Sequence, residues 1–98
     1  MEGYCDLCQI RFAKCTHHLI FGRGIRELAD KDGLTLNLCD SCHNFAVKPT
    51  DRIHENITAE RLSKMLGQAI WERNYYKEGG TDNARELFIR RYGKSYLP

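Results

Sequence analysis

The chain has 98 residues, 42% of them hydrophobic and 29% charged, which is typical of a globular domain and excludes a disordered or collagen-like chain. Its 15 lysines and arginines against 13 aspartates and glutamates give a net charge of +2, which by itself indicates no nucleic-acid partner. No stretch approaches the ~20 apolar residues of a membrane span, and the opening residues lack the character of a secretory signal, so we expect a cytoplasmic protein with no membrane partner.

Alternating apolar residues predict a hairpin in the first half of the chain. A short strand within residues 15–21 carries the adjacent histidines 17 and 18, and a flexible basic loop at residues 22–24 follows it. Residues 25–29 are expected to form one helical turn. Residues 34–38 alternate again, with three leucines on one side, and this pattern predicts the second strand.

Helical periodicity predicts three helices in the remainder. A short helix is expected to begin near Cys42, and Thr58 is expected to cap a longer helix that ends before a Gly-Gly pair. A last helix, capped by Thr81 or Asp82, is expected to end at Gly93. The apolar positions expected to form the buried face of the longer helix are Leu62, Met65, Leu66, Ala69, Ile70, Trp71 and Tyr75.

Four of the five cysteines form two C-x-x-C pairs, Cys5 with Cys8 and Cys39 with Cys42. In a chain without a secretory signal, two such pairs indicate a zinc site more strongly than a disulfide framework. Each tight turn directs two thiolates at a point about 2.3 Å away, and two turns complete a tetrahedron. The alternatives are a redox pair or chance clustering. Cys15 is interpreted as a strand residue, with ligand exchange as the alternative.

The four histidines allow more than one interpretation. His17 and His18 are adjacent, and neighbours on a strand point to opposite faces, so the pair by itself predicts one core and one solvent-facing histidine. His43 directly follows the last cysteine of the predicted zinc site. His54 is interpreted as a surface or capping residue, or as a further metal ligand if the break at residues 48–51 folds the chain back.

Three segments follow one another between residues 5 and 44. They are Cys5-x-x-Cys8, His17-His18-Leu19-Ile20 and Leu38-Cys39-x-x-Cys42-His43-Asn44. Together they resemble the HNH endonuclease family, whose ββα-metal fold is a hairpin, a connecting loop and a helix, and in which a four-cysteine structural zinc is common. The resemblance implies one zinc-stapled, treble-clef-like α+β domain, with a zinc-bound core at residues 1–47 and a helical extension at 48–98. The ending, residues 84–97, is similar to that of small stand-alone phage and prophage members.

The same resemblance implies roles for three histidines. His18 would be the general base, because a neutral imidazole accepts a proton from water near neutral pH. His17, at a position that often holds aspartate, and His43 would bind a catalytic divalent ion, Mg²⁺ or another ion such as Mn²⁺ or Ni²⁺. Two protein ligands leave coordination positions open for phosphate oxygen, leaving group and water. The zinc site would fix His43, since Cys42 precedes it.

The middle asparagine of the family pattern has no direct counterpart here. In the family it orients the loop that bears the base, and in this register its position falls on Leu34. Asn37, two residues before Cys39, is therefore our candidate for the orienting role, and Asn44 is a second candidate.

Basic residues surround the histidine pair. Residues 9–26 contain no acidic side chain and four lysines or arginines: Arg11, Lys14, Arg23 and Arg26. Such residues contact backbone phosphates largely independently of sequence, so we expect DNA as partner, with low sequence specificity. A second basic cluster at residues 85–94 is interpreted either as a further phosphate contact or as a solvated helix face.

Three hypotheses follow from these patterns. The first is a metal-dependent endonuclease that hydrolyses DNA phosphodiester bonds. The alternative is a catalytically silent zinc-binding module that docks DNA or protein on the same fold. A third is an inhibitor or regulatory protein that contacts a larger phage or host protein.

Overall fold

The predicted hairpin is present in the structure, a computed structural model that describes residues 3–98. Strand β1 (Cys15–His18) pairs antiparallel with strand β2 (Thr35–Leu38), so that His17 lies opposite Leu36 and His18 opposite Thr35. Adjacent strand residues point to opposite faces, which separates the two histidines. The hairpin and the helices that follow confirm the α+β class, and both strands lie within the predicted segments.

Helix α1 (Ile25–Lys31) lies in the connection between the strands and has two turns, where one was expected. Asp32, which ends α1, accepts hydrogen bonds from Nε and Nη2 of Arg91, both at 2.7 Å, and from the Tyr92 hydroxyl at 2.6 Å. These contacts fasten α1 to the last helix, α3 (Ala84–Tyr92). The buried residues of the core between the hairpin, α1 and α3 are Leu19, Ile20, Ala29, Leu34, Phe88 and Tyr92.

The segment after β2 folds back on itself. It makes one turn of π-helix (Ser41–Phe45), where a short helix was predicted, and then a 3₁₀ turn (Pro49–Asp51). The next residues return to the π turn. The N–H of His54 donates to the carbonyl oxygen of His43 at 3.0 Å, and the residue before His54 donates in the same way to Cys42 at 2.8 Å. The break at residues 48–51 therefore brings His54 beside His43.

Helix α2 (Ile57–Lys77) and helix α3 are capped by asparagines. Asn56 accepts a hydrogen bond from a free amide in the first turn of α2, and Asn83 does the same for α3. An N-cap residue has an extended backbone and directly precedes the first residue of the helix. Asn56 and Asn83 both meet this condition. The prediction that Thr58 caps α2 and that Thr81 or Asp82 caps α3 is therefore wrong. Within residues 3–98, none of the helices combines the length and the apolar character required to cross a membrane.

The face that helix α2 buries agrees only in part with the predicted one. Of the predicted residues, Ile70 and Trp71 are partly buried against the core, whereas Leu62 and Leu66 are 58% and 45% exposed. The fully buried residues of the helix are instead Ser63, Gly67 and Gln68. Gln68 accepts hydrogen bonds from the backbone N–H groups of Tyr96 and Leu97, which fixes the end of the chain against α2. The buried polar groups are compensated by partners distant in sequence, so local periodicity carries no signal for them.

Gly67 allows α2 to approach the residues that follow the histidine pair. A Cβ atom at this position would lie 2.7 Å from Cγ1 of Ile20 and 3.1 Å from Cβ of Leu19, both buried. We expect Gly67→Val to lower the free energy of unfolding by about 2 kcal/mol, because these neighbours have no free space to move into. Thermal unfolding followed by circular dichroism measures the effect. The control Ala69→Val places the same side chain at an exposed position of α2, and equal melting temperatures of both variants would contradict the prediction.

Candidate metal centres and the adjoining groove

The four cysteines predicted to form a zinc site lie together. The sulfur atoms of Cys5, Cys8, Cys39 and Cys42 are all within 4.8 Å of one another, and those of Cys8 and Cys39 are 3.9 Å apart. A tetrahedral site with Zn–S bonds of about 2.3 Å separates its sulfurs by about 3.8 Å. All four are free thiols and not disulfides. The cluster predicted from the two C-x-x-C pairs is confirmed, and its geometry is compatible with a structural metal ion such as zinc.

Backbone N–H groups surround the sulfur atoms. The N–H groups of Arg11 and Ile10 lower the pKa of Cys8 to about 6, which favours the thiolate, the form that binds metal. The N–H of Leu7 donates to the sulfur of Cys5 at 3.4 Å, and the second pair contains an equivalent contact. The remaining cysteine, Cys15, lies on β1, as predicted, and its thiol donates to a backbone carbonyl, so it stays outside the cluster.

Three histidines form a second cluster. His17 on β1, His43 in the π turn and His54 in the loop before α2 each offer a ring nitrogen, and these three atoms lie within 4.8 Å of one another. The ring centroids are separated by 5.3 Å (His17 and His43), 5.1 Å (His17 and His54) and 4.6 Å (His43 and His54). The structure thus brings together the two histidines singled out as ligands of a catalytic ion, and adds His54 to them.

Hydrogen bonds determine which nitrogen of His17 is free. Ser63 donates its hydroxyl proton to the carbonyl oxygen of Leu19 at 2.7 Å, so towards His17 it acts as an acceptor. Nε2 of His17, 2.8 Å from that hydroxyl, therefore carries the ring proton. Nδ1 keeps its lone pair, and among residues 3–98 this buried atom has no hydrogen-bond partner. A buried acceptor without a partner is costly and rare, and a metal ion would satisfy it.

Several contacts hold His54 in the cluster. Its Nδ1 lies 3.2 Å from Oε2 of Glu60 on α2. Because a carboxylate only accepts hydrogen bonds, Nδ1 of His54 carries the ring proton, and Nε2 keeps a lone pair that can bind a metal ion. Arg52 donates to the carbonyl oxygens of His54 and Ala46, at 3.0 and 2.7 Å, and so braces the loop. A carboxylate on the second nitrogen of a histidine is the usual support of a metal-binding imidazole.

Burial and neighbouring groups keep the rings of His17 and His43 neutral. Burial, together with the neighbouring His54 and His43, lowers the pKa of His17 to about 4. Burial and the proximity of His54 also lower the pKa of His43. At neutral pH both rings are therefore unprotonated at one nitrogen, which is the state required of a metal ligand.

His18 lies beside the histidine cluster, in a groove. Two adjoining depressions of about 730 and 410 Å³ share His18, Gly22 and Arg26 in their walls. The first extends along α1, and the second reaches His43 and His54. The groove thus connects the predicted general base with two members of the cluster.

The other residues predicted to belong to the site are Asn37 and four basic residues, and these do not lie together in the structure. Asn37 lies on β2 opposite Thr16, on the face of the hairpin that carries His18, and within residues 3–98 its side chain makes no hydrogen bond. Of the basic residues, Arg26 lines the groove at His18. Arg11 borders a depression beside the cysteine cluster, and Lys14 and Arg23 are exposed. The orienting role of Asn37 and the phosphate contacts stay predictions.

Some residues of the site gave no signal in the sequence. Ser63, Glu60 and Arg52 support the histidines through contacts that depend on how the chain folds back.

No protein-family model, no curated protein and no solved structure matches the chain.

Proposed function

We propose that the protein is a metal-dependent endonuclease of the HNH type, which hydrolyses phosphodiester bonds of DNA. One observation carries the proposal: three histidines converge beside a fourth histidine in an open groove, and one of the three has a buried nitrogen without a hydrogen-bond partner among residues 3–98. The four-cysteine cluster would hold a structural zinc ion next to them, since Cys42 and His43 are consecutive.

The donor set of the second cluster fits a transition metal ion. His17, His43 and His54 would hold it, and all three offer imidazole nitrogen, which suits Zn²⁺ or Ni²⁺ better than the oxygen-preferring Mg²⁺. Three ligands leave coordination positions for a substrate. Such an ion would polarise a phosphate oxygen and stabilise the charge that develops on the leaving oxygen.

The residues of the groove have complementary tasks in this proposal. His18 accepts a proton from the attacking water, a role that requires an imidazole that lines the groove and is not itself a ligand of the ion. Arg26, in the same walls, neutralises a backbone phosphate. Phosphate contacts without a base-reading element give low sequence specificity.

A plasmid-nicking assay tests the proposal. Zinc-loaded protein is incubated with supercoiled DNA and Ni²⁺, Mn²⁺ or Mg²⁺, and we expect nicking that is strongest with Ni²⁺ and abolished by a chelator. Absence of nicking with every ion would contradict the nuclease. Salt-dependent DNA binding without cleavage would then support the docking module, and absence of DNA binding would favour a regulatory protein.

Glu60 supplies a separate prediction about the histidine cluster. Glu60→Ala removes the carboxylate on His54, and we expect Ni²⁺ to bind roughly 10- to 100-fold more weakly, because the imidazole loses its orientation. Isothermal titration calorimetry of the zinc-loaded protein measures the affinity. Glu78→Ala, at an exposed position at the other end of α2, is the matched control, and equal affinities in the two variants would exclude Glu60 from this role.

A further inference from the structure

Helix α1 brings a carboxylate to His18. Asp30 is exposed near the end of this helix, and its Oδ1 lies 3.2 Å from Nε2 of His18, whose side chain is only 15% exposed. Among the described residues 3–98, this is the one hydrogen bond of the His18 side chain. It joins residues of two elements, since His18 ends β1 and Asp30 belongs to α1.

We propose that Asp30 is a positioning residue for His18, an inference that rests on the nuclease function proposed above. A carboxylate only accepts hydrogen bonds, so Nε2 of His18 carries the proton and Nδ1 keeps its lone pair. Asp30 thus selects the tautomer and fixes the ring, as a carboxylate does for a catalytic histidine in hydrolases. The role that the family pattern gives to an asparagine would here involve a residue on α1.

With its ring proton on Nε2, His18 can act as the base in hydrolysis through Nδ1. Nδ1 of His18 takes one proton from the attacking water, whose oxygen forms a bond to phosphorus while the bond to the leaving sugar oxygen breaks. That oxygen takes a proton from solvent, and His18 later returns its proton to water. Asp30 stabilises the positive charge that the ring of His18 carries in between.

If Asp30 acts only as an exposed negative charge and does not position His18, its removal should have a different kinetic effect. Asp30 and Glu27 line the same groove, and each would repel a polyanion. Removal of either charge would then lower KM for DNA and leave kcat unchanged. Loss of a positioning residue instead lowers kcat, so the direction of the change separates the two roles.

The kinetic test compares Asp30→Ala with Glu27→Ala in the nicking assay under the metal that supports cleavage. We expect Asp30→Ala to lower kcat by roughly 10-fold or more without raising KM, Glu27→Ala to leave kcat near the wild-type value, and Asp30→Glu to restore part of the loss. An unchanged kcat in Asp30→Ala, or an equal loss in both alanine variants, would overturn the inference.

A second measurement does not require activity. Nitrogen NMR of the neutral His18 ring in zinc-loaded protein should show the proton on Nε2 in the wild type, and a shift of the population towards Nδ1 in Asp30→Ala. The same tautomer in both proteins would overturn the role of Asp30. If the wild type cleaves no DNA under any metal, the proposed function fails, and the tautomer still decides whether Asp30 positions His18.

Discussion

Replacing Cys39 by serine is expected to abolish zinc binding at the four-cysteine cluster and to unfold the protein at the same time. Structural zinc sites contribute roughly 10–16 kcal/mol of apparent binding free energy, and metal binding and folding are coupled. A whole domain is stable by only about 5–15 kcal/mol, so the loss of this site cannot be compensated elsewhere. Zinc content per chain, together with circular dichroism, measures both consequences.

Cys15→Ser is the matched control for this experiment. Cys15 lies outside the cluster and donates to the carbonyl oxygen of Leu38, a hydrogen bond that a serine hydroxyl also makes. We therefore expect this variant to keep its zinc and its fold. A folded Cys39→Ser protein with the stability of the wild type would contradict a structural metal site at the four cysteines.

With His18 as the proposed general base, His18→Ala is expected to reduce plasmid nicking by roughly 10²- to 10⁴-fold, the usual contribution of such a base. The side chain of His18 is only 15% exposed, but it belongs neither to the two clusters of candidate ligands nor to the hydrophobic core clusters, so its loss removes no candidate ligand and no core residue. Zinc content, Ni²⁺ affinity and melting temperature should therefore stay near the wild-type values.

Thr16→Ala is the control for the loss of His18. Thr16 is exposed on the same face of β1 and lines the same part of the groove, without a titratable group. Its loss should leave most of the nicking activity. Retention of nicking in His18→Ala would remove this histidine from the mechanism, whatever the behaviour of the control.

Local features of the chain were predictable from the sequence. The two strands follow from alternation of apolar residues, and the cysteine cluster follows from two tight turns that each direct a pair of sulfurs to one point. The end of α3 at Gly93, which has a φ of 92°, follows from the freedom of glycine in the left-handed region. In each case the information lies within a few consecutive residues.

Features that depend on distant partners were not predictable. Apolar spacing favours Leu62 and Leu66 as core residues of α2, whereas Ser63 is buried because it bonds to His17 and to the segment after β1. His54 joins the histidine cluster because the loop before α2 pairs with the π turn, and the sequence offered this fold-back only as the condition for one of two interpretations of His54. His17 and Ser63 are 46 positions apart, beyond any window over which periodicity is assessed, and His18 and Asp30, although only 12 positions apart, belong to different elements.

The link between His17 and Ser63 also bears on the order in which the molecule is made. The two residues are 46 positions apart, whereas the last cysteine of the metal cluster is residue 42. Because synthesis proceeds from the amino terminus, a nascent chain contains every cysteine of the cluster before α2 exists. A product truncated ahead of Glu60 would keep all four cysteines and three neighbouring histidines, but would lack both side chains that orient the imidazoles. The histidine cluster can therefore become ordered only after the cysteine cluster is complete, and such truncated products would carry the four cysteines without the side chains that orient the histidines.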